Sequence, residues 1–377
     1  MPWKEATAMS EREKFIAQVL EQRQSIRTLC QDFGISRPTA YKWIRRYAQS
    51  GKVGLVEQSR RPHHSPDQTP VEVETAILSV RCEHPSWGGV KILAYLKRQG
   101  WEQLPSASTA TAILQRNGKM DPQESCKHRP MQRFERAAPN ELWQMDFKGY
   151  FRIDQGRCHP LTILDDHSRF LVGLHACPNQ LWETVQRQLT STFRTYGLPD
   201  CMLMDNGSPW GDDWESRHTI LTAWLMRLGV AVTHGRPFHP QTQGKDERLH
   251  RTFQAEVLQG SQFHTFQDCQ SRFDAWRDFY NHERPHQALH QAVPAEVYHP
   301  SLRPFPESLP PIWYQPDDIV RKVDEKGKIS FRHQSYRISK AFRHHPVALR
   351  PTELDDILDV YYCSFRVAQI NLREQNP

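Results

Sequence analysis

The sequence lacks the features of a disulfide-rich, zinc-binding or membrane protein. Its eight cysteines never form a C-x-x-C pair, so neither a zinc ribbon nor a dense disulfide framework is predicted. No stretch approaches the roughly 18 apolar residues of a membrane helix. The first part of the chain carries charges throughout, without the apolar segment of a secretory signal. We therefore expect a soluble protein of a reducing, cytoplasmic compartment, with no zinc and no membrane partner.

Positive charge is concentrated at one end of the sequence. The 377 residues carry a net charge of +6. Residues 1–130 contain 20 Lys and Arg against 13 Asp and Glu, a net charge of +7, so the remainder carries −1. A basic segment suits a polyanionic partner such as DNA, although an ordinary solvated surface would fit the charge equally well. A chain of this length is expected to hold roughly two to four domains.

Residues 11–49 are predicted to form three helices in a helix–turn–helix arrangement. Gly34 marks the turn, and Ser36 can cap the third helix. The outward face of that helix is polar and mostly basic: Arg37, Thr39, Lys42, Arg45 and Arg46. Such a face suits the major groove of DNA, and a helical hairpin with a charged exterior is the structural alternative. We predict a DNA-binding domain over residues 1–58.

A second helical domain is predicted over residues 71–118, after a linker rich in proline and polar residues. Its helices are expected at Val71–Glu83, Gly89–Gln99 and Ser106–Asn117, with Ser106 as an N-cap. A structural three-helix bundle is the alternative to a second DNA-binding module. Residues 119–138 carry several cations without apolar periodicity and are predicted to form a basic linker.

Residues 139–299 follow an order of three strands, helix, strand, helix, strand, helix. The first three strands are close enough for hairpins, and the later helical connections imply parallel crossovers. This order predicts a ribonuclease-H-like mixed sheet. The strands are expected at Leu142–Phe151, Pro160–Asp165, Phe170–Cys177, Cys201–Met204 and Ala231–His234, and the helices at Leu181–Tyr196, Trp214–Leu228 and Gly244–Gln259.

Three acidic residues stand in positions that suit metal-dependent chemistry. Asp146 and Asp205 lie in or after predicted strands, and Glu247 opens a predicted helix. Divalent cations such as Mg²⁺ take oxygen ligands from one or two carboxylates. Two ions roughly 3.5–4 Å apart can stabilise both the attacking and the leaving oxygen of an in-line displacement. The neighbouring Asp246 is the alternative third acid, but it points toward the buried stripe of the helix, and Glu247 lies beside that stripe.

The sequence motifs around these acids resemble those of a known family. MDFKG, LTILDDHSRF, MDNGSPW, HGRPFHPQTQGKDERLHRTF, YNHERPHQAL and PAEVY occur in the order found in the integrase core of insertion-sequence transposases. That group belongs to the retroviral-integrase superfamily, which has a DDE site. The resemblance covers about Asn140 to Tyr298, and the Glu of its G-K-x-E-R block matches Glu247.

The resemblance implies a catalytic site in which Asp146 and Asp205 face one another and a helix brings Glu247 across. It implies two Mg²⁺ or Mn²⁺ ions held by these three acids, and no nucleotide. It also implies double-stranded DNA as substrate, a homo-oligomer in a synaptic complex, and a prokaryotic source. Lys245 and Arg248 flank the Glu and are candidates for holding a DNA phosphate, with ordinary exposed cations as the alternative.

The C-terminal residues 317–377 alternate in β-rich runs and are predicted to form a small β-barrel. This barrel resembles the C-terminal domains of transposases that help hold DNA, and an interaction barrel without DNA contact is the alternative.

The sequence as a whole is interpreted as a DNA transposase. It would bind the inverted ends of its element, cleave to expose a 3′-OH, and transfer that strand into target DNA. A nuclease of the same fold that does not join strands is one alternative. A non-catalytic regulator derived from a transposase is another, and the presence of all three acids counts against it.

Overall fold

The computed structural model of the protein describes residues 7–57, 68–120, 135–205, 207, 209–210, 218–235 and 244–373. The chain folds into two compact units, Met1–Gln68 and Thr69–Pro377. The first unit contains α1 (Ala8–Glu21), α2 (Ile26–Asp32) and α3 (Arg37–Ser50). The second unit begins with α4 (Val71–Glu83), α5 (Gly89–Arg98) and α6 (Ala107–Arg116).

The first unit is a three-helix bundle with capped helix starts. Thr7, Ser25 and Ser36 each accept a backbone N–H of their own first helical turn, which satisfies donors that would otherwise lack partners. The core comprises Phe15, Ile16, Leu29, Cys30, Ala40, Trp43 and Leu55. The three predicted helices are present, with α1 beginning three residues earlier than expected.

The central sheet of the second unit is mixed. Its elements are β1 (Trp143–Phe147), β2 (Phe151–Ile153), β3 (Gly156–Asp165), β4 (Leu171–Cys177), α7 (Trp182–Tyr196), β5 (Cys201–Met204), α8 (Ile220–Arg227), β6 (Ala231–His234), α9 (Gly244–Phe253) and α10 (Phe266–His282). The strand order is β2-β3-β1-β5-β6, and β4 pairs with β3. Strand β3 pairs antiparallel with β1, β2 and β4, and β1, β5 and β6 run parallel.

Helices cover both faces of this sheet. On one face, Trp143 and Met145 of β1 pack with apolar side chains of α7 and α8. On the other face, Leu249 and Phe253 of α9 pack with α10 and with the opposite sides of β3 and β4. Because side chains alternate along a strand, Gln144 and Asp146 lie on the face that α9 covers.

The structure differs from the predicted core at several places. Strand β3 begins at Gly156 rather than Pro160, and α10 was not predicted. The expected strand Leu142–Phe151 is divided into β1 and β2, because the chain turns at Gly149, whose φ is 99°. The expected helix Gly244–Gln259 is α-helical only to Phe253, and Gln254–Leu258 continue it as a π-helical segment. The start of the expected helix Trp214–Leu228 lies outside the described residues.

The C-terminal part contains β7 (Ile319–Lys322), β8 (Lys328–Phe331), β9 (Gln334–Arg337), β10 (Pro346–Pro351), β11 (Ile357–Tyr362) and β12 (Phe365–Asn371). Four strands form a sheet in the order β12-β11-β10-β7, and β8 and β9 form a separate ribbon. Within the described residues no pairing joins β12 to β7, so the predicted barrel is not confirmed. The apolar core of this part includes Ala223 and Met226 of α8, which attach it to the central domain.

Candidate active site

Parallel pairing of β1 with β5 brings the two predicted aspartates together. The register sets Trp143 opposite Met202 and Gln144 opposite Leu203. Continuing this register by two residues places Asp146 beside Asp205. A carboxylate oxygen of Asp146 accepts the N–H of Phe147 at 2.8 Å, and one of Asp205 accepts the N–H of Gly207 at 2.5 Å.

Helix α9 adds the third predicted acid. Burial raises the pKa of Asp146 to about 6, with the charges of Asp205 and Glu247 acting in the same direction and the Phe147 hydrogen bond opposing them. The carboxylates of Asp205 and Glu247 therefore both lie near that of Asp146. Glu247 is exposed on α9 and open to solvent.

Asp246, the alternative third acid, is only 1% exposed. Burial raises its pKa well above the usual value, and the charges of Asp146 and Asp166 act in the same direction. One of its carboxylate oxygens has no hydrogen-bond partner among the described residues. The two neighbouring acids thus differ in environment, and Glu247 is the one that a ligand in solvent can reach.

A histidine that sequence reasoning missed contacts Asp146. His250 Nδ1 lies 3.9 Å from an Asp146 carboxylate oxygen, and its Nε2 lies 2.9 Å from the Thr162 hydroxyl. That hydroxyl donates to the Asp146 carbonyl at 3.0 Å, so it accepts from Nε2–H. Burial, with help from the Lys148 charge, lowers the pKa of His250 to about 4, which keeps the imidazole neutral. Its position three residues after Glu247 was the available signal.

Asp166 links the strand of one candidate catalytic acid to the helix of another. Its carboxylate is fully buried and accepts hydrogen bonds from Gln144 Nε2 at 2.6 Å, the Arg136 N–H at 2.9 Å and Lys245 Nζ at 2.5 Å. Gln144 lies two residues before Asp146, and Lys245 lies two residues before Glu247. One buried carboxylate therefore connects β1 and α9 close to both acids.

This pairing also shows where the predicted phosphate contacts lie. The Lys245 side chain is 16% exposed and its ammonium contacts Asp166, so it has a protein partner in this structure. Arg248 is exposed on α9.

The predicted DNA-reading face of α3 is partly exposed: Arg37, Lys42 and Arg45 are exposed, while Thr39 and Arg46 are partly buried. The guanidinium of Arg46 lies 5.2 Å from the Trp43 ring centroid. The DNA contacts of these residues remain predictions.

A buried glutamate, also missed from the sequence, attaches the second helical domain to the core. Glu256 accepts the indole N–H of Trp87 at 3.1 Å and that of Trp276 at 3.0 Å, and its carboxylate contacts Arg284 at 3.2 Å. Burial acts to raise the pKa of Glu256, but the Arg284 charge and these hydrogen bonds hold it below its usual value. A paired buried charge of this kind ties the segment before α5 to α10 and to the π-helical segment after α9.

The donor set fits a hard divalent cation. Asp146, Asp205 and Glu247 offer only oxygen atoms, and their mutual repulsion would be relieved by positive charge. Within the part of the chain that the structure describes, no three metal-ligating side chains are gathered into a preformed cage. The three carboxylates lie near one another, but they do not form a closed coordination shell.

A cleft of about 520 Å³ lies between β2 and the π-helical segment. Lys148, two residues after Asp146, forms part of its wall, together with Gln254 and Leu258 of the π-helical segment. None of the three acids is among its lining residues.

Several known protein families match parts of the chain. The integrase core domain matches residues 136–240, and a second integrase core family matches residues 228–294. The C-terminal domain of IS481 family transposases matches residues 318–377. These matches support an insertion-sequence transposase with a DDE integrase core. A helix-turn-helix domain matches residues 11–63, and a homeodomain-like domain matches residues 39–114.

Individual relatives of the chain are distant. An uncharacterized 31.7 kDa protein of insertion element IS407 from Burkholderia multivorans is 29% identical over 160 residues, which cover 42% of this chain and 56% of the relative. The transposase for transposon Tn552 of Staphylococcus aureus is 23% identical over 263 residues, which cover 63% and 53% of the two chains. The chain thus spans about half the length of these curated relatives.

Retroviral integrases are among the solved structures with a detectable likeness. A simian T-cell lymphotropic virus intasome in complex with a PP2A regulatory subunit has a TM-score of 0.36 at 15% identity, covering 75% of this chain and 91% of that chain. The HTLV-2 integrase catalytic core domain in complex with magnesium has a TM-score of 0.32 at 10% identity, covering 43% and 99%. Among the described residues, no helix is long and apolar enough to cross a membrane.

The buried link at Asp166 gives a stability prediction. Replacing Asp166 with Asn leaves the largely buried Lys245 ammonium without its counter-charge, so the free energy of unfolding should fall by about 3–5 kcal/mol. Urea unfolding of the full-length protein measures this change. Asp154→Asn is the matched control, because among the described residues the exposed Asp154 carboxylate pairs with the exposed His264, and the change should leave the unfolding midpoint unchanged. Equal midpoints for both variants would contradict the role given to Asp166.

Proposed function

We propose that this protein is a DNA transposase that cuts the ends of its element and joins them to target DNA. The observation that carries the proposal is the in-register placement of Asp146 beside Asp205, with Glu247 close enough to shift the pKa of Asp146. The match of residues 136–294 to integrase core families supports it. The bacterial insertion elements among the relatives support a prokaryotic, cytoplasmic setting on DNA.

In this proposal Asp146, Asp205 and Glu247 hold two Mg²⁺ or Mn²⁺ ions. When bound, the ions would stabilise the attacking and leaving oxygens of an in-line displacement at phosphorus. The carboxylates act as ligands and not as nucleophiles, so no covalent protein–DNA intermediate forms. Asp166 and Lys245 keep the strand of Asp146 and the helix of Glu247 in a fixed relation, which matters because small displacements of reacting groups cost rate.

The chemistry proceeds in two displacements of the same geometry. Water first attacks a phosphodiester at the element end and releases a 3′-OH. That 3′-OH then attacks a phosphodiester of the target DNA, so one bond forms as another breaks and no ATP is needed. Residues 1–58 and 71–118 are proposed to recognise the element ends, and the protein is proposed to act as a homo-oligomer that holds two ends together.

The first prediction concerns the three acids. Asp146→Asn, Asp205→Asn and Glu247→Gln should each reduce cutting and joining by several orders of magnitude, because each removes ligand charge from the cation site. DNA binding without metal should be unchanged, and Mg²⁺ binding measured by calorimetry should weaken in each variant. Asp154→Asn, an exposed acid outside the site, is the control. An active Glu247→Gln protein together with an inactive but folded Asp246→Asn protein would transfer the third role to Asp246.

The second prediction concerns recognition of the ends by α3. Lys42→Ala combined with Arg45→Ala should weaken binding of full-length protein to the inverted-repeat DNA beside its gene. Both side chains are exposed, so the fold should survive. The slope of log affinity against log salt should become shallower by about 0.9 for each lost phosphate contact. Arg23→Ala, an exposed change on the same unit, should have no effect, and equal affinities for all three proteins would remove α3 from the reading surface.

The third prediction separates a transposase from a nuclease of the same fold. Full-length protein, Mg²⁺ or Mn²⁺, a pre-cut terminal duplex and a plasmid should give covalently joined product, resolved on a denaturing gel. The multiple DNA-binding modules support joining, since holding both DNA molecules in place makes the reaction effectively unimolecular. Cleaved plasmid without joined product, with end binding demonstrated in the same buffer, would identify the nuclease instead.

A further inference from the structure

Helix α9 carries Glu247 between two polar contacts to the region of β3. Lys245, two residues before Glu247, reaches the carboxylate of Asp166, directly after the end of β3. His250, three residues after Glu247, lies with its Nε2 2.9 Å from the hydroxyl of Thr162 within β3. The proposed chemistry gives the first contact a role and leaves the second without one.

Thr162 is the residue of β3 that stands next to Asp146. The two lie directly opposite each other in the antiparallel pairing of β3 with β1. Opposite residues of neighbouring strands put their side chains on the same face of a sheet, so both belong to the face that α9 covers. Thr162 is 1% exposed, and its hydroxyl donates to the Asp146 carbonyl at 3.0 Å. A group that fixes this hydroxyl therefore acts on the backbone of Asp146.

The hydrogen bonds of this cluster run in one direction. A hydroxyl has a single hydrogen to donate, and that of Thr162 goes to the Asp146 carbonyl. Its oxygen therefore accepts from His250, whose ring hydrogen lies on Nε2. Buried polar groups are costly without partners. Without the ring donor, the Thr162 oxygen would lose its partner, and the hydroxyl could turn away from the carbonyl.

The other ring nitrogen has neither the distance nor the chemistry for a direct role. Nδ1 of His250 lies 3.9 Å from a carboxylate oxygen of Asp146, beyond the roughly 3.2 Å reach of a hydrogen bond. Mg²⁺ takes oxygen ligands, whereas imidazole suits metals such as zinc, copper and nickel. The ring is therefore better placed to orient the strand of Asp146 than to bind its carboxylate or a Mg²⁺ ion.

The helix needs a directional contact at this point. Helix α9 packs into the second core through Leu249 and Phe253, but the hydrophobic effect is non-directional and permits small rotations about the helix axis. Residues three apart are neighbours on a helix surface. A rotation that separates His250 from β3 would therefore also carry Glu247 away from its place over the sheet.

We propose that His250 is a positioning residue for the candidate cation site. Its hydrogen bond to Thr162 fixes the strand of Asp146, and its place on α9 fixes the helix of Glu247 relative to that strand. The inference rests on the proposed function, which gives these acids the task of holding cations. Removing a partner that orients metal ligands typically costs roughly 10–100-fold in metal affinity or activity.

Two neutral amides separate the roles of the two ring nitrogens. In His250→Gln the amide N–H reaches the position of Nε2 and keeps the donor to Thr162, whereas the shorter His250→Asn reaches only the position of Nδ1. Binding of Mn²⁺ to full-length protein, followed by the electron paramagnetic resonance signal of the free ion, should stay near wild type in His250→Gln. It should weaken by roughly 10–100-fold in His250→Asn.

A joining assay supplies the second readout. The single-turnover rate of joining a pre-cut end should fall by a similar factor in His250→Asn, while metal-free affinity for the duplex stays unchanged, because the contact orients ligands and does not touch DNA. His264→Asn is the matched control, since His264 is an exposed histidine that pairs with Asp154, and it should change neither quantity.

The partner hydroxyl tests the same contact from β3. Thr162→Val removes the hydroxyl at nearly constant volume and should reproduce the weakened Mn²⁺ binding, whereas Thr162→Ser keeps the hydroxyl and should retain it. Thr162→Val combined with His250→Asn should lose no more than either change alone, because both remove one interaction. Urea unfolding selects the variants that are folded, and the Thr162 series decides the question if a His250 variant is not.

Three results would overturn the positioning role: wild-type Mn²⁺ affinity in His250→Asn, equal losses in His250→Asn and His250→Gln, or fully additive losses with Thr162→Val. Nitrogen coupling to bound Mn²⁺ in pulsed resonance spectra would also overturn it, by making the ring a ligand. If the wild-type protein joins DNA in these cases, the inference fails and the transposase proposal stands. The predicted order of Mn²⁺ affinities without any joining would support the positioning role and contradict the transposase.

Discussion

Mutual repulsion among carboxylates is the constraint that the rest of the second unit must satisfy. The charges of Asp205 and Glu247 contribute to the raised pKa of Asp146, so nothing in the acids themselves favours their meeting. The parallel pairing of β1 with β5 holds the two aspartates, and this pairing is stabilised by the packing of Trp143 and Met145 against α7 and α8. Apolar packing in the core therefore stabilises an arrangement of strands that the repulsion between the carboxylates opposes.

Helix α9, which carries Glu247, is held against the sheet by a different set of contacts. Leu249 and Phe253 pack into the second core, and Lys245 reaches the buried Asp166, which also holds Gln144 of β1. Apolar packing sets how deeply the helix lies, and the ion pair sets its position along the sheet. The acid exposed to solvent is then Glu247, while the adjacent Asp246 is buried.

The sequence was informative wherever a signal is local. The predicted strands Cys201–Met204 and Ala231–His234 match β5 and β6 at their observed bounds, and Ser36 and Ser106 cap the helices they were expected to cap. The meeting of Asp146 and Asp205 was implied by the resemblance to the integrase core. The turn at Gly149 and the π-helical segment were missed, since each depends on contacts made after the strands and helices have packed.

Long-range partners could not be read from the sequence. Asp166 meets Lys245 across 79 positions, and Glu256 meets Trp87 across 169. No periodicity links such residues, so the contacts of Asp166 and Glu256 emerged only from the structure.

The buried Glu256 has a consequence for how DNA would be measured. It joins the segment before α5 to the end of the helix that carries Glu247, through two indole N–H groups and Arg284. If the second helical domain contacts DNA, its footprint and the bond to be cut are separated by a distance built into one folded unit. The protein would then work as a ruler, and the number of base pairs between the recognised sequence and the cleaved phosphate would be a property of the fold.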